Sequence, residues 1–210
     1  PTIHSLFPIP VYKTKIDRDF TNQELLFAKE QKNYCIKNNG NINTKDNYIL
    51  NRKEFKNIKS FLEGHCKNYI DTIICPKNKI DIRITQSWLN YTEQNEFHHM
   101  HSHPNSFVSG VLYFDCDINN DKIKFTKSEY QQISPEVENY NLWNSHMWWF
   151  HVGTGDLVMF PSWTPHSVPK QKTDEERICV AGNINLTWDK KDKRRNVAIK
   201  SLSKKLNLPI

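Results

Sequence analysis

The chain has 210 residues, of which 37% are hydrophobic and 25% charged, with six Trp, eight Tyr and eleven Phe. That is enough chain for one full core, and the composition excludes disorder, collagen and coiled coil. There are 29 basic and 23 acidic residues; the stretch from Asp189 to Ile210 holds eight basic and two acidic, leaving 21 of each in the body, so the excess charge lies in the tail. A nucleic-acid partner is therefore disfavoured, and the basic tail reads as a solvated helix or an assembly contact, with a homo-oligomer left open.

No apolar run approaches the roughly 20 residues that cross a bilayer, so no membrane partner is expected. The opening Pro1-Thr2-Ile3-His4 lacks the basic and apolar regions of a signal peptide. Cys35, Cys66, Cys75, Cys116 and Cys179 are odd in number and contain no C-x-x-C pair, as expected of reduced thiols. A cytoplasmic protein follows, in the host cytoplasm if a phage encodes it.

In chain order, Thr21-Asn22-Gln23-Glu24 has the form of a capping box and starts a helix from about Asn22 to Ile36. Asn38-Asn39-Gly40-Asn41 marks a loop. Asn51-Arg52-Lys53-Glu54 repeats the box. Phe55, Ile58, Phe61, Leu62, Tyr69, Ile70 and Ile73 then recur at helical spacing to about Ile73. From Ile80 the period falls to two and predicts a long strand to Tyr91. Further strands are expected over 107–114, 122–125, 148–152, 156–160, 166–168 and 177–188, with Gly110 marking a close backbone approach. The predicted fold is mainly β: an antiparallel sandwich or jelly-roll barrel with helices packed outside. One domain over 1–210 is expected, with a helical layer in 1–79, the barrel in 80–188 and the basic segment in 189–210, where Val197, Ile199, Leu202 and Leu206 suggest a terminal helix. The polar, aromatic-rich insert from Lys127 to Ser145 has the character of a lid.

The chemistry concentrates in His98-His99-Met100-His101-Ser102-His103-Pro104. On a strand, positions 99, 101 and 103 share a face, so two neighbours of that set can bind one metal if a third ligand comes from elsewhere. His166 supplies the candidate, after the apolar strand that opens at Gly155-Asp156 and the turn Ser162-Trp163-Thr164-Pro165. Arg177 follows eleven residues later at the head of a β pattern, where its guanidinium could hold a carboxylate in a bidentate fork.

These stretches, with Leu6 to Val11, Ser87 to Asn90, Ser109 to Tyr113 and Glu176-Arg177-Ile178, resemble the 2-oxoglutarate and Fe(II)-dependent oxygenase superfamily. The likeness is to its branch frequent in bacteria and marine phages. The resemblance implies a double-stranded β-helix, a cupin-like barrel, in which Fe(II) binds 2-oxoglutarate and O2. Substrate would be hydroxylated as the cosubstrate is decarboxylated to succinate. Asn90 stands eleven residues ahead of His101. The resemblance therefore makes His101, rather than His99, the first ligand, His103 the occupant of the usual carboxylate position, and His166 the distal ligand. It pairs Arg177 with the far carboxylate of 2-oxoglutarate and places Asn90, Ser109 and Tyr113 against the cosubstrate; Asn183, polar in an apolar strand, reads as barrel lining.

The chain departs from the superfamily in His103 for an acid and in Cys179 for a Ser. Glu96 and Asp115 are other carboxylates within the region, without the expected spacing. A cupin-like three-His protein holding Fe, Zn, Ni or Mn is the alternative, as is a non-catalytic phage or bacterial structural or interaction module. The substrate, a peptidyl side chain or a small molecule, is not legible.

Overall fold

The computed structural model describes residues 1–77, 79–128 and 135–188. The expected terminal helix, and positions 129–134 of the insert, lie outside them. Eleven strands form two antiparallel sheets among the described residues. The larger runs β1 (Tyr12–Lys15), β9 (Asp156–Pro161), β6 (Val108–Asp115), β11 (Arg177–Trp188), β4 (Ile80–Thr92), β3 (Ile42–Thr44) and β2 (Cys35–Lys37). The smaller runs β5 (His98–His101), β10 (His166–Val168), β7 (Lys122–Thr126) and β8 (Met147–His151). The mainly β jelly-roll expectation holds.

The central strands β9, β6 and β11 of the large sheet are buried on both faces, which explains their dense apolar sequence. One face packs on the helices: Leu89 and Tyr91 of β4, Leu112 and Phe114 of β6 and Ile178 and Val180 of β11 meet Phe55, Ile58, Leu62, Cys66 and Tyr69. The alternate residues face the barrel interior, where Tyr113, Val158, Phe160 and Cys179 meet Ile123 and Phe125 of the small sheet. Two-residue periodicity thus separates a helix-packing set from a site-lining set on the same strands. At Gly110 a Cβ would sit 3.3 Å from the Met159 side chain on β9, the close approach that its place in the strand suggested.

Both helices are shorter than the sequence predicts. α1 (Asn22–Glu30) starts at the capping box, with Thr21 Oγ1 accepting from the Glu24 amide and the Glu24 carboxylate accepting from the Thr21 amide. It ends six residues before Ile36. A 3-10 turn over Gln31–Tyr34 follows, and Cys35–Lys37 pairs with β3 instead, across a turn in which Gly40 has φ 98°. A non-local strand partner overrides helical propensity there. The second box does not form. Arg52 is extended, Asn51 accepts from the Lys59 ammonium, and α2 (Lys56–Tyr69) begins after two 3-10 turns. Beyond it, Ile70–Ile74 widens into a π turn closed by Cys75 at φ 46°. No helix among the described residues is long and apolar enough to cross a membrane.

Candidate metal and cosubstrate site

β5 and β10 are neighbours, and His101 pairs directly with His166 across them. His103, just past β5, is held by its amide donating to the Ser162 carbonyl at 2.8 Å. These two backbone devices bring the three rings together, with centroids 4.3 Å apart for His101 and His166, 4.9 Å for His101 and His103, and 5.1 Å for His103 and His166. One ligand nitrogen from each lies within 4.8 Å of the others, as a shared metal requires.

The protons are placed for the same purpose. His101 Nδ1 lies 2.8 Å from the His99 carbonyl and His166 Nδ1 lies 3.0 Å from the Thr164 carbonyl. A carbonyl only accepts, so each Nδ1 carries the hydrogen and each Nε2 keeps its lone pair for a metal. Burial, helped by the charge of the His101 ring, pushes His166 down to about 2 and His103 down to about 4. Burial likewise lowers His101. All three imidazoles are neutral at pH 7, the form that ligates.

Behind the triad, one cavity is lined by all three histidines and by Trp88, Asn90, Ser109, Tyr113, Cys179 and Arg177. Arg177 is 3% exposed, and its Nη1 donates to Asp121 Oδ1, forming a buried ion pair. The pair leaves Arg177 Nη2 buried with no partner, and the Tyr113 hydroxyl and Asn90 Oδ1 are in the same condition. Unsatisfied buried polar groups cost free energy, so two donors and one acceptor on one cavity wall call for a polar ligand. An anion with a carboxylate end meets the two donors, Nη2 and the Tyr113 hydroxyl. The residues present therefore fit a metal and an oxo-acid.

The sequence-named residues distribute as follows. His101, His103, His166, Arg177, Tyr113, Asn90 and Ser109 converge on the cavity. Ser109 Oγ is already committed, 2.8 Å from Ser162 Oγ and donating to Asn183 Oδ1 at 2.9 Å, so Asn183 acts on the site through Ser109. Glu96 and Asp115 belong to neither of the metal-competent groups among the described residues; Glu96 instead accepts from the Glu93 amide. Sequence reasoning missed Asp121, which sits in a polar Asn119-Asn120-Asp121 turn that has the form of a solvated surface loop. Its Oδ2 is anchored by the Asp117 amide and the Cys116 thiol. It also missed the second histidine group, His98, His99 and His101.

Imidazoles grouped around one metal position on a jelly-roll barrel are the donor set of mononuclear non-haem metal proteins. Residues 86–183, just under half of the chain, match the model of the family described as "Putative 2OG-Fe(II) oxygenase", and every site residue named from the sequence lies inside that stretch. No curated protein matches the chain.

Solved structures share the fold at low identity. The non-heme alpha ketoglutarate dependent epimerase SnoN from nogalamycin biosynthesis is 10% identical, with a TM-score of 0.62 over 84% of this chain and 76% of its own. HygX from Streptomyces hygroscopicus, solved with nickel and 2-oxoglutarate bound, is 10% identical with a TM-score of 0.59 over 84% and 83%. A Pseudomonas putida prolyl-4-hydroxylase is 13% identical with a TM-score of 0.55 over 84% and 92%.

Proposed function

We propose that this protein is a 2OG-Fe(II) oxygenase, a hydroxylase in which His101, His103 and His166 hold Fe(II) and Arg177 binds the far carboxylate of 2-oxoglutarate. The observation that carries the reading is the unpartnered, buried Arg177 Nη2 in the cavity that the three imidazoles line. Iron with 2-oxoglutarate and O2 supplies the oxidising chemistry, in which substrate C–H becomes C–OH while the cosubstrate leaves as succinate and CO2.

The chain's own residues bind and orient. Nη2 and the Tyr113 hydroxyl donate to the carboxylate, while Asp121 keeps Nη1 for itself. The grip is therefore one-edged, where the sequence suggested a full fork. Three neutral imidazoles leave the metal at +2, one unit above a site with a carboxylate ligand, and this favours a doubly charged oxo-acid. Val111, Ile123, Phe160 and Val168 wall the cavity and exclude water.

A second cleft opens against His101 and His103. It is lined by Asn38, Asn43, Asn47, Gln86 and Trp88 with His98 and His99, and among the described residues by no Asp, Glu, Lys or Arg. Such a surface suits an uncharged group that both donates and accepts, as on a peptidyl side chain or a small molecule. A cytoplasmic setting accords with five unpaired cysteines.

The test is anaerobic titration of the iron-loaded protein with 2-oxoglutarate. The reading expects the visible metal-to-ligand band, and succinate once O2 is admitted. Iron bound without either response overturns it in favour of a cupin-like metal protein.

A further inference from the structure

One face of β4 leads from the open cleft into the metal cavity. Gln86, Trp88 and Asn90 alternate along the strand and so share that face. Gln86 lines the cleft, Asn90 the cavity, and Trp88 both. The Trp88 ring lies 5.6 Å from that of His103, inclined by 55°. A ligand resting on the indole therefore lies against the metal-binding rings.

The amides around it are open in both senses. Asn38 spends both Nδ2 hydrogens, on Asn41 Oδ1 at 2.9 Å and on His98 Nε2 at 3.2 Å, so Oδ1 is what it has left to offer. Asn43 spends one Nδ2 hydrogen on the Thr44 carbonyl at 3.3 Å and keeps the other together with Oδ1. Gln86 Oε1 accepts from Asn183 Nδ2 at 3.5 Å, which leaves both Nε2 hydrogens. Asn47 is placed beside Gln86 by its carbonyl, which accepts from the Ser87 amide at 2.8 Å. Its side chain has no protein partner among the described residues. The cleft thus presents acceptors on Asn38, Asn43 and Asn47 and donors on Asn43, Asn47 and Gln86.

We infer that the substrate is an uncharged pyranoside, seated with a C–H face on Trp88 and its hydroxyls on the amides. The reaction rests on the hydroxylase reading, the binding on the cleft alone. A charged ligand would exchange its hydration for a wall with no counter-charge. A lone carboxamide brings one carbonyl and one NH2 group, too few to meet amides on several sides. A ring of hydroxyls, each both donor and acceptor, meets them at once. The indole face covers the apolar side of such a ring. The cleft has a volume near 230 Å³, below the range that a drug-sized ligand fills, which limits it to about one ring.

The test is anaerobic calorimetry on the full chain, once loaded with Fe(II) and 2-oxoglutarate and once metal-free. The probes are methyl glucoside, galactoside and mannoside, with maltotriose as a sugar-chain end. N-acetylglutamine methylamide and N-acetylproline methylamide stand for peptidyl side chains. At least one methyl pyranoside should bind both forms of the protein in one-to-one ratio. Gln86→Ala combined with Asn47→Ala, both exposed positions, should weaken that binding on the order of tenfold. Trp88→Ala should weaken it further. Maltotriose binding as tightly as methyl glucoside supports a chain end as the source, and binding of the methyl pyranoside alone supports a free sugar. Unchanged affinity in the double variant would put the sugar elsewhere and overturn the assignment, even if Trp88→Ala fails to fold. Tighter binding of either peptidyl probe, or no binding of any pyranoside, would overturn the substrate class. The visible band with 2-oxoglutarate needs no substrate, so its absence, and not the absence of sugar binding, counts against the hydroxylase reading.

Discussion

At the scale of single residues, the site is a set of constraints placed on a few atoms. Arg177 and Asp121 show it best. Both are buried, at 3% and 1% exposure, so neither charge is tolerable without the other. Asp121→Ala should destabilise the protein by about 3–5 kcal/mol in chemical denaturation, because it strands a guanidinium. Replacing both, as Arg177→Met with Asp121→Leu, should cost clearly less than the two single losses combined; additive losses would show the pair to be independent. Cosubstrate affinity should fall in every variant that lacks Arg177, by roughly 2–5 kcal/mol for loss of a buried charge-assisted contact.

His103 gives a second expectation at this scale. His103→Asp keeps an oxygen ligand at a position where the backbone is held to Ser162, so metal should be retained on elemental analysis. The site charge falls by one unit, and 2-oxoglutarate binding should weaken with it. Loss of metal in this variant would mean that geometry, not donor type, fixes the third position.

At the scale of elements, what could be read in the sequence was whatever has a local period or a local cap. β10 and β11 lie where the alternation puts them, from His166 to Val168 and from Arg177 to Trp188. The Thr21 capping box forms because both of its partners are three residues apart. β2 and β3 were not legible: they are three residues each and exist through pairing with each other and with β4. Asp121 was illegible for a related reason, since its partner is 56 residues away and its own neighbours are turn formers.

The hairpin and the cap each carry a test. A Cβ at Gly40 would lie 2.6 Å from the Phe97 carbonyl oxygen at a backbone angle that L residues avoid. Gly40→Ala should cost about 1–3 kcal/mol of stability and weaken metal binding, because the displaced segment leads straight into His98. Glu24 is buried, which by itself raises its proton affinity. The Arg18 guanidinium and the Thr21 amide outweigh that, so its carboxyl titrates below the ordinary value near 4.5. The native state then binds fewer protons than the unfolded one, and the stabilisation, complete above that ordinary value, is lost as pH falls through the lower native value. The stability advantage of wild type over Glu24→Gln should therefore shrink steadily from about pH 5 to pH 3; an advantage that stays level with pH would show that Glu24 acts through packing alone.

At the scale of the whole molecule, the metal site and the main core are held by different parts. His101 and His103 lie on or just past β5 and His166 on β10, both strands of the small sheet. The apolar mass lies on the other side of the large sheet, where β4, β6 and β11 meet α2. A structural metal replaces a missing core, and its removal unfolds the domain. Here the core exists without it. Stripping the metal with a chelator should therefore lower the thermal midpoint without unfolding the protein. Metal at a hundred times its dissociation constant adds about 2.7 kcal/mol. For a chain of this size that is about 5–10 °C. Amide exchange should locate the change, with β5 and β10 losing protection while β4 and β11 keep theirs. Collapse of the far-UV circular dichroism on chelation would show instead that the three histidines serve the fold, and would place this barrel with structural metal proteins.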